Sequence, residues 1–135
     1  MSYPLITLYT PGINLDLARK AEKYNPDAII IDLEDTVPPD KKIEVRNEVA
    51  QLIPTLPNPP LIRVNNDEKY LEGDLKSVVI KNTRGILVPK AETTDNLRII
   101  ESVISKCEAT QGLKKSSVKI ILILESALGV MRCYE

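Results

Sequence analysis

Ala28-Ile29-Ile30-Ile31-Asp32-Leu33-Glu34-Asp35 is the stretch whose reading decides the fold. An unbroken apolar run from Ala28 to Ile31 gives way to three carboxylates within four positions. Continuous apolar character, in place of strict alternation, is the pattern of a parallel strand buried on both faces. The two-residue period of a strand puts Asp32 and Glu34 on one side, with Asp35 turning away or into the loop. A carboxylate buried alone is costly, so this strand end needs a metal ion, an arginine or backbone N–H groups. The plainer alternative is that these acids cap loops or the next helix.

Working outward, four more apolar runs read as strands: Leu5–Thr10, Leu61–Val64, Gly85–Val88 and Val118–Leu124. Helical patterns fill the gaps. Asn14 can cap a helix carrying Leu17, Ala18 and Ala21 on a face, and Pro39 and Asp40 precede one with Val45, Val49, Leu52 and Ile53 at three- and four-residue spacing. A weaker pattern covers 70–81, with Leu71, Leu75, Val78 and Val79 as its stripe. Thr94 or Asp95 can start a last full helix carrying Leu97, Ile100, Val103 and Ile104. Strand starts near 5, 28, 61, 85 and 118 recur every 23 to 33 residues, the spacing of repeated βαβ units.

A doubly wound sheet can also stop at five strands. Two features favour a barrel. The first strand is not followed by GxGxxG, which lowers the case for a dinucleotide-binding fold. Polar residues also gather at the C-terminal ends of several different strands, where a β/α barrel builds its site. The expected fold class is therefore α/β, the N-terminal part of a TIM (β/α)8 barrel with about four and a half units. Residues 1–135 read as one incomplete domain, because Pro54–Pro60 is too short for an interdomain linker and 126–135 look like the first turns of a helix. On that expectation the segment alone is inactive.

Composition narrows the function. The chain carries 18 basic and 19 acidic residues, so no basic field marks a nucleic-acid partner. No apolar run approaches the roughly 20 residues of a membrane helix, and the opening residues do not read as a secretion signal. Cys107 and Cys133 form no CxxC pair, which suits a reducing, cytoplasmic setting. Histidine is absent, so acid–base or metal chemistry in this chain must use carboxylates, lysine, arginine or water.

The remaining strand ends supply candidates. Arg63 and Asn65 share a face with Leu61, and an arginine fork there suits a substrate carboxylate or, structurally, Glu34 or Asp35. Lys90 can meet a phosphate, a carboxylate or a surface acid. Glu125 closes the strongest apolar run just before Ser126, which can cap a helix. An oxygen ligand without histidine points to Mg²⁺, although the start of that helix can stabilise the acid as well. Gly12 lets a bound group approach the backbone or simply permits a turn.

Tyr9-Thr10-Pro11-Gly12, Ile31-Asp32-Leu33-Glu34-Asp35, Arg63-Val64-Asn65, Val88-Pro89-Lys90 and Leu124-Glu125-Ser126-Ala127-Leu128-Gly129-Val130 occur in an order and spacing that resemble the citrate lyase beta subunit-like (HpcH/HpaI aldolase) family. The resemblance spans essentially the whole chain. It implies a TIM barrel, assembled as a trimer or hexamer, that makes or breaks a carbon–carbon bond in 3-hydroxy acyl thioesters with Mg²⁺. It implies that Glu125 is the first metal ligand, that Arg63 holds the substrate carboxylate, and that Glu34 and Asp35 orient metal-bound water and the arginine. The family's second metal-binding aspartate lies beyond the fifth strand. Where relatives often carry Arg-Arg-Ser or Arg-Ser before the first strand, this chain has Ser2-Tyr3-Pro4. That departure leaves open whether coenzyme A or an acyl carrier holds the acyl group. The competing expectations are a catalytically inactive paralogue acting as a subunit or regulator, and a different Mg²⁺/enolate barrel enzyme.

Overall fold

In a computed structural model, which describes residues 6–134, the central apolar run becomes strand β2 (Ala28–Asp32), buried along its whole length. Around it lie β1 (Thr7–Pro11), β3 (Leu61–Arg63), β4 (Gly85–Val88) and β5 (Lys119–Leu122), all parallel and in the order β1-β2-β3-β4-β5. The helices are α1 (Leu15–Ala21), α2 (Lys42–Leu52), α3 (Leu71–Val78), α4 (Thr94–Thr110) and α5 (Ala127–Met131). Leu5, the first residue of the expected opening strand, and Ser2-Tyr3-Pro4 lie outside the described residues.

The distribution of helices separates the two candidate architectures. Ala18 and Ala21 of α1, Val45 and Val49 of α2, Leu75 and Val78 of α3, and Ile100 and Ile104 of α4 pack with Ile29, Ile31, Ile62, Val64, Ile86 and Val88 in one cluster. The opposite sheet face holds Ala28, Ile30, Leu61 and Leu87, with Ile121 and Ile123 against them, and no described helix residue joins it. A doubly wound sheet would carry helices on both faces. Sequential strand order with helices on one face is the partial β/α barrel.

Burial on both faces holds for β2 and β4 but not for the outer strands. Among the described residues β1 pairs only with β2 and β5 only with β4. Leu8, Ile120 and Leu122 are accordingly exposed, because strand burial is set by neighbours and not by the run's own composition. Leu17, expected on the packed face of the first helix, is likewise exposed, while Ala18 and Ala21 are buried.

Helix boundaries follow local chemistry. Thr93 caps α4 by accepting from Asn96 N–H at 3.2 Å, and Ser126 caps α5 by accepting from Gly129 N–H at 3.0 Å. Asn14 stands at the N-cap of α1 without a side-chain capping bond. Gly12 is needed for close approach: a Cβ there would meet the Asp32 carbonyl oxygen at 2.4 Å, and Gly12 N–H already donates to that oxygen at 2.9 Å. Sequence periodicity did not flag Glu108, which is buried at the end of α4. Its carboxylate accepts from Ser116 and Val118 N–H, both at 2.9 Å, and closes the turn into β5.

Candidate functional site

All five strands deliver a side chain to the same end of the sheet. The parallel register pairs Asp32 with Arg63, so β2 and β3 present opposite charges side by side on the helix-free face. Arg63 donates from Nε to Asp32 Oδ1 at 2.7 Å and from Nη2 to Oδ2 at 2.8 Å, a bidentate fork. Its Nη1 lies 3.3 Å from Glu34 Oε2 and 3.4 Å from Asp35 Oδ2. Tyr9, from β1, stacks its ring centroid 5.4 Å from the guanidinium carbon. From the loop after β4, Lys90 Nζ reaches Glu34 Oε1 at 2.6 Å, while Lys90 N–H donates to Glu125 Oε1 at 3.0 Å.

The electrostatics follow from this packing. Burial acts to raise the Asp32 carboxyl, but the Arg63 fork and the N–H groups of Glu34 and Thr36 outweigh it and hold the group below its ordinary value. Arg63 is raised by its bond to Asp32 against the cost of burial. Lys90 is raised by its bond to Glu34. Burial raises the Tyr9 phenol, with Arg63 opposing and Asp32, Glu125 and Glu34 reinforcing the shift.

Arg63 and Lys90 face Asp32, Glu34, Asp35 and Glu125, so acids outnumber bases in the cluster. Glu34 Oε2 is buried without a hydrogen-bond partner. An acid-rich, oxygen-only donor set, in which Glu34 Oε2 has Arg63 as an ion-pair neighbour but accepts no hydrogen bond, fits a hard divalent cation in its chemistry. Among the described residues, however, no three His, Cys, Asp or Glu side chains gather closely enough to form a metal centre.

The structure therefore brings Glu34, Asp35, Arg63, Lys90 and Glu125 together, with Gly12 immediately behind them against the Asp32 carbonyl. Two placements, those of Arg63's main partner and of Asn65, differ from the sequence reading. Asp32, and not Glu34 or Asp35, is Arg63's principal partner; the period-two pattern put Asp32 on the correct face, but register is what joins the pair. Lys90's ammonium meets the Glu34 carboxylate, which is among the partners the sequence left open for it. Asn65 leaves the face of Leu61 and Arg63, because β3 ends at Arg63 and the next residues turn toward α2 and α3, where Asn65 bonds Asp74. No sequence pattern marks Tyr9 as Arg63's neighbour, because its stacking on the guanidinium depends on the pairing of strands 1 to 3.

Comparison with known proteins places this geometry in context. The profile of the HpcH/HpaI aldolase/citrate lyase family matches residues 5–135. The citrate lyase subunit beta of Leuconostoc mesenteroides subsp. cremoris is 29% identical over 132 residues, covering 95% of this chain and 44% of that protein. A (3S)-malyl-CoA thioesterase of Cereibacter sphaeroides is 27% identical over 132 residues, covering 95% and 42%. The chain thus spans less than half the length of these relatives. In structure, the Haloferax volcanii malate synthase magnesium/glyoxylate complex superposes with a TM-score of 0.81 at 15% identity, over 96% of this chain and 44% of that one. This last likeness is one of fold.

Proposed function

The chain belongs to the HpcH/HpaI aldolase/citrate lyase family, and from that premise we propose that the whole protein is a Mg²⁺-dependent carbon–carbon lyase. Its substrate class is a 3-hydroxy acyl thioester of the citryl-, malyl- or citramalyl type, carried on coenzyme A or an acyl carrier. The observation that carries the proposal is the convergence of Glu34, Arg63, Lys90 and Glu125 from four strand ends. The homo-oligomeric trimer or hexamer expected for the family belongs to the same proposal. No helix among the described residues is long and apolar enough to cross a membrane.

In cleavage, the substrate hydroxyl gives up its proton and its carbon becomes a carbonyl. The adjacent carbon–carbon bond breaks, its electron pair forms the thioester enolate, and that carbon then takes a proton. Glu125 would hold Mg²⁺, which when bound polarises the carbonyl as a Lewis acid. This chain's own residues do the positioning. Asp32 occupies the Nε/Nη2 edge of Arg63, so a substrate carboxylate would meet the Nη1 side, beside Glu34 and Asp35. Lys90 holds Glu34 with its ammonium and Glu125 with its N–H, tying the arginine region to the proposed metal ligand. Fixing charged groups before the substrate arrives is what lets such clamps lower the barrier.

Two observations favour a second reading, a catalytically inactive paralogue serving as a subunit or regulator. Arg63's fork is already filled by Asp32, and the described residues form no three-ligand metal cluster. A different Mg²⁺/enolate barrel enzyme is the remaining alternative. Glu125→Gln in the whole protein separates lyase from inactive paralogue. We expect loss of Mg²⁺-dependent thioester cleavage with an unchanged far-UV circular dichroism spectrum. Full activity in that variant, or no cleavage by the wild-type protein with any of the three thioesters, would sink the lyase reading.

A further inference from the structure

Behind the charged cluster, on the helix side of the sheet, lies a second polar assembly. Lys42, at the start of α2, donates from Nζ to the main-chain oxygens of Leu33 at 3.1 Å and Glu34 at 2.8 Å, and to Asn65 Oδ1 at 2.6 Å. These three bonds use all the donors of an ammonium. Each acceptor is neutral. The compensating charge arrives through the Asn65 amide, whose Nδ2 donates to Asp74 Oδ2 at 2.7 Å and to Leu33 O at 2.9 Å. That amide has one orientation, because reversing it would set its NH2 against the ammonium.

The atoms Lys42 grips decide its consequence. The carbonyls of Leu33 and Glu34 belong to the peptide planes on either side of the Glu34 Cα. Fixing both planes fixes φ and ψ at Glu34, and so fixes the direction in which its Cα–Cβ bond leaves the backbone. The opposite edge of the segment is held by Asp32, which accepts from Glu34 N–H at 2.9 Å and Thr36 N–H at 3.0 Å. The loop is gripped by a cation on its carbonyls and a carboxylate on its amides. We propose that Lys42 is a positioning residue that aims the Glu34 carboxylate at Arg63 and Lys90.

The test uses Lys42→Met in the full chain, which keeps the aliphatic stem and removes the ammonium. Lys42→Gln is held to the same readouts in case the Met variant does not fold. The first readout is amide hydrogen exchange, independent of any activity. Exchange at Glu34 and Thr36 should accelerate by about tenfold or more while the N–H groups inside α2 keep their wild-type protection. Unchanged exchange at those two amides, or acceleration spread evenly through α2, would overturn the proposal.

The second readout rests on the lyase reading. Loss of an outer-layer partner typically costs about 10–100-fold in activity. Lys42→Met should show such a loss in kcat/KM in the wild-type background and less than about twofold in a Glu34→Gln background. An equal loss in both backgrounds would mean a merely structural role and overturn the proposal. If the whole wild-type protein cleaves no thioester, the lyase reading fails, and the exchange result alone decides for or against Lys42.

Discussion

Asp32→Asn tests the arrangement most directly, because the four hydrogen bonds to that carboxylate leave no room for an amide. Oδ1 accepts from Arg63 Nε at 2.7 Å and Glu34 N–H at 2.9 Å; Oδ2 accepts from Arg63 Nη2 at 2.8 Å and Thr36 N–H at 3.0 Å. An asparagine keeps one acceptor oxygen and turns the other into a donor. Whichever way the amide lies, two donors lose their partner and face an N–H instead. Each lost bond to a charged group costs about 1.5–3 kcal/mol, and Asp32 is only 1% exposed, so water replaces neither. Glu34 and Asp35 still neutralise part of Arg63, which brings the expected destabilisation to about 3–5 kcal/mol. Asp35→Asn is the matched control. That side chain is 65% exposed and touches Arg63 only at 3.4 Å, so its loss should cost no more than about 1 kcal/mol.

Urea unfolding of the full chain, followed by circular dichroism, reads both values from the shift in midpoint at constant slope. An Asp32→Asn cost below about 1 kcal/mol, or equal costs for the two variants, would refute the assignment of Asp32 as Arg63's anchor. The pH dependence has a definite sign. Asp32's pKa is held below the ordinary 3.8, so its contribution is complete above that value and disappears as pH falls through the depressed folded value. The gap between wild type and Asp32→Asn should therefore be the same at about pH 5 and pH 7, and should shrink only below about pH 4.

Gly12→Ala forces a Cβ to within 2.4 Å of the Asp32 carbonyl oxygen and 3.2 Å of Val45 Cγ1, so it should cost about 1–3 kcal/mol in the same urea assay; a neutral result would mean the loop after β1 shifts freely. Glu108→Gln leaves one N–H at the α4–β5 turn facing a donor and should cost roughly 1–3 kcal/mol near neutral pH. Burial opposes ionisation of Glu108, but the N–H groups of Val118 and Ser116 and the Ser117 hydroxyl hold it below its ordinary 4.5. Its contribution is then full above that value and lost as pH falls through the folded one, so thermal melts of wild type and variant should converge in acid. Parallel melting curves at every pH would contradict this account.

Ala28–Asp32 was legible as a buried parallel strand because an unbroken apolar run has few other uses at that length. The recurrence of such runs with amphipathic helices between them was enough to read a β/α architecture, and the polar residues closing each run marked the end of the sheet where the candidate site gathers. Glu34, Asp35, Arg63, Lys90 and Glu125 stand at those ends, and family resemblance could be carried on them residue by residue. All of this is local or periodic information, which a chain holds in its order of residues.

Partnership is different, because it depends on distances between residues far apart in the chain. The 31-residue separation of Asp32 and Arg63 says nothing of their shared register, and that register gave Arg63 to Asp32 where sequence suggested Glu34 or Asp35. Asn65 followed period two only until β3 ended, after which the backbone turned it toward Asp74. No local pattern distinguishes Lys42 from the chain's other lysines, and only the packing of α2 on β2 puts its ammonium between two carbonyls. The exposure of β1 and β5 was equally hidden, since composition reports how apolar a strand is while only its neighbours determine whether it is covered. The sequence by itself determined the elements, their order and the residue types at the strand ends. Tertiary structure alone decided which charges meet and which face each side chain takes, because those depend on register and on one-sided helix packing that no local pattern encodes.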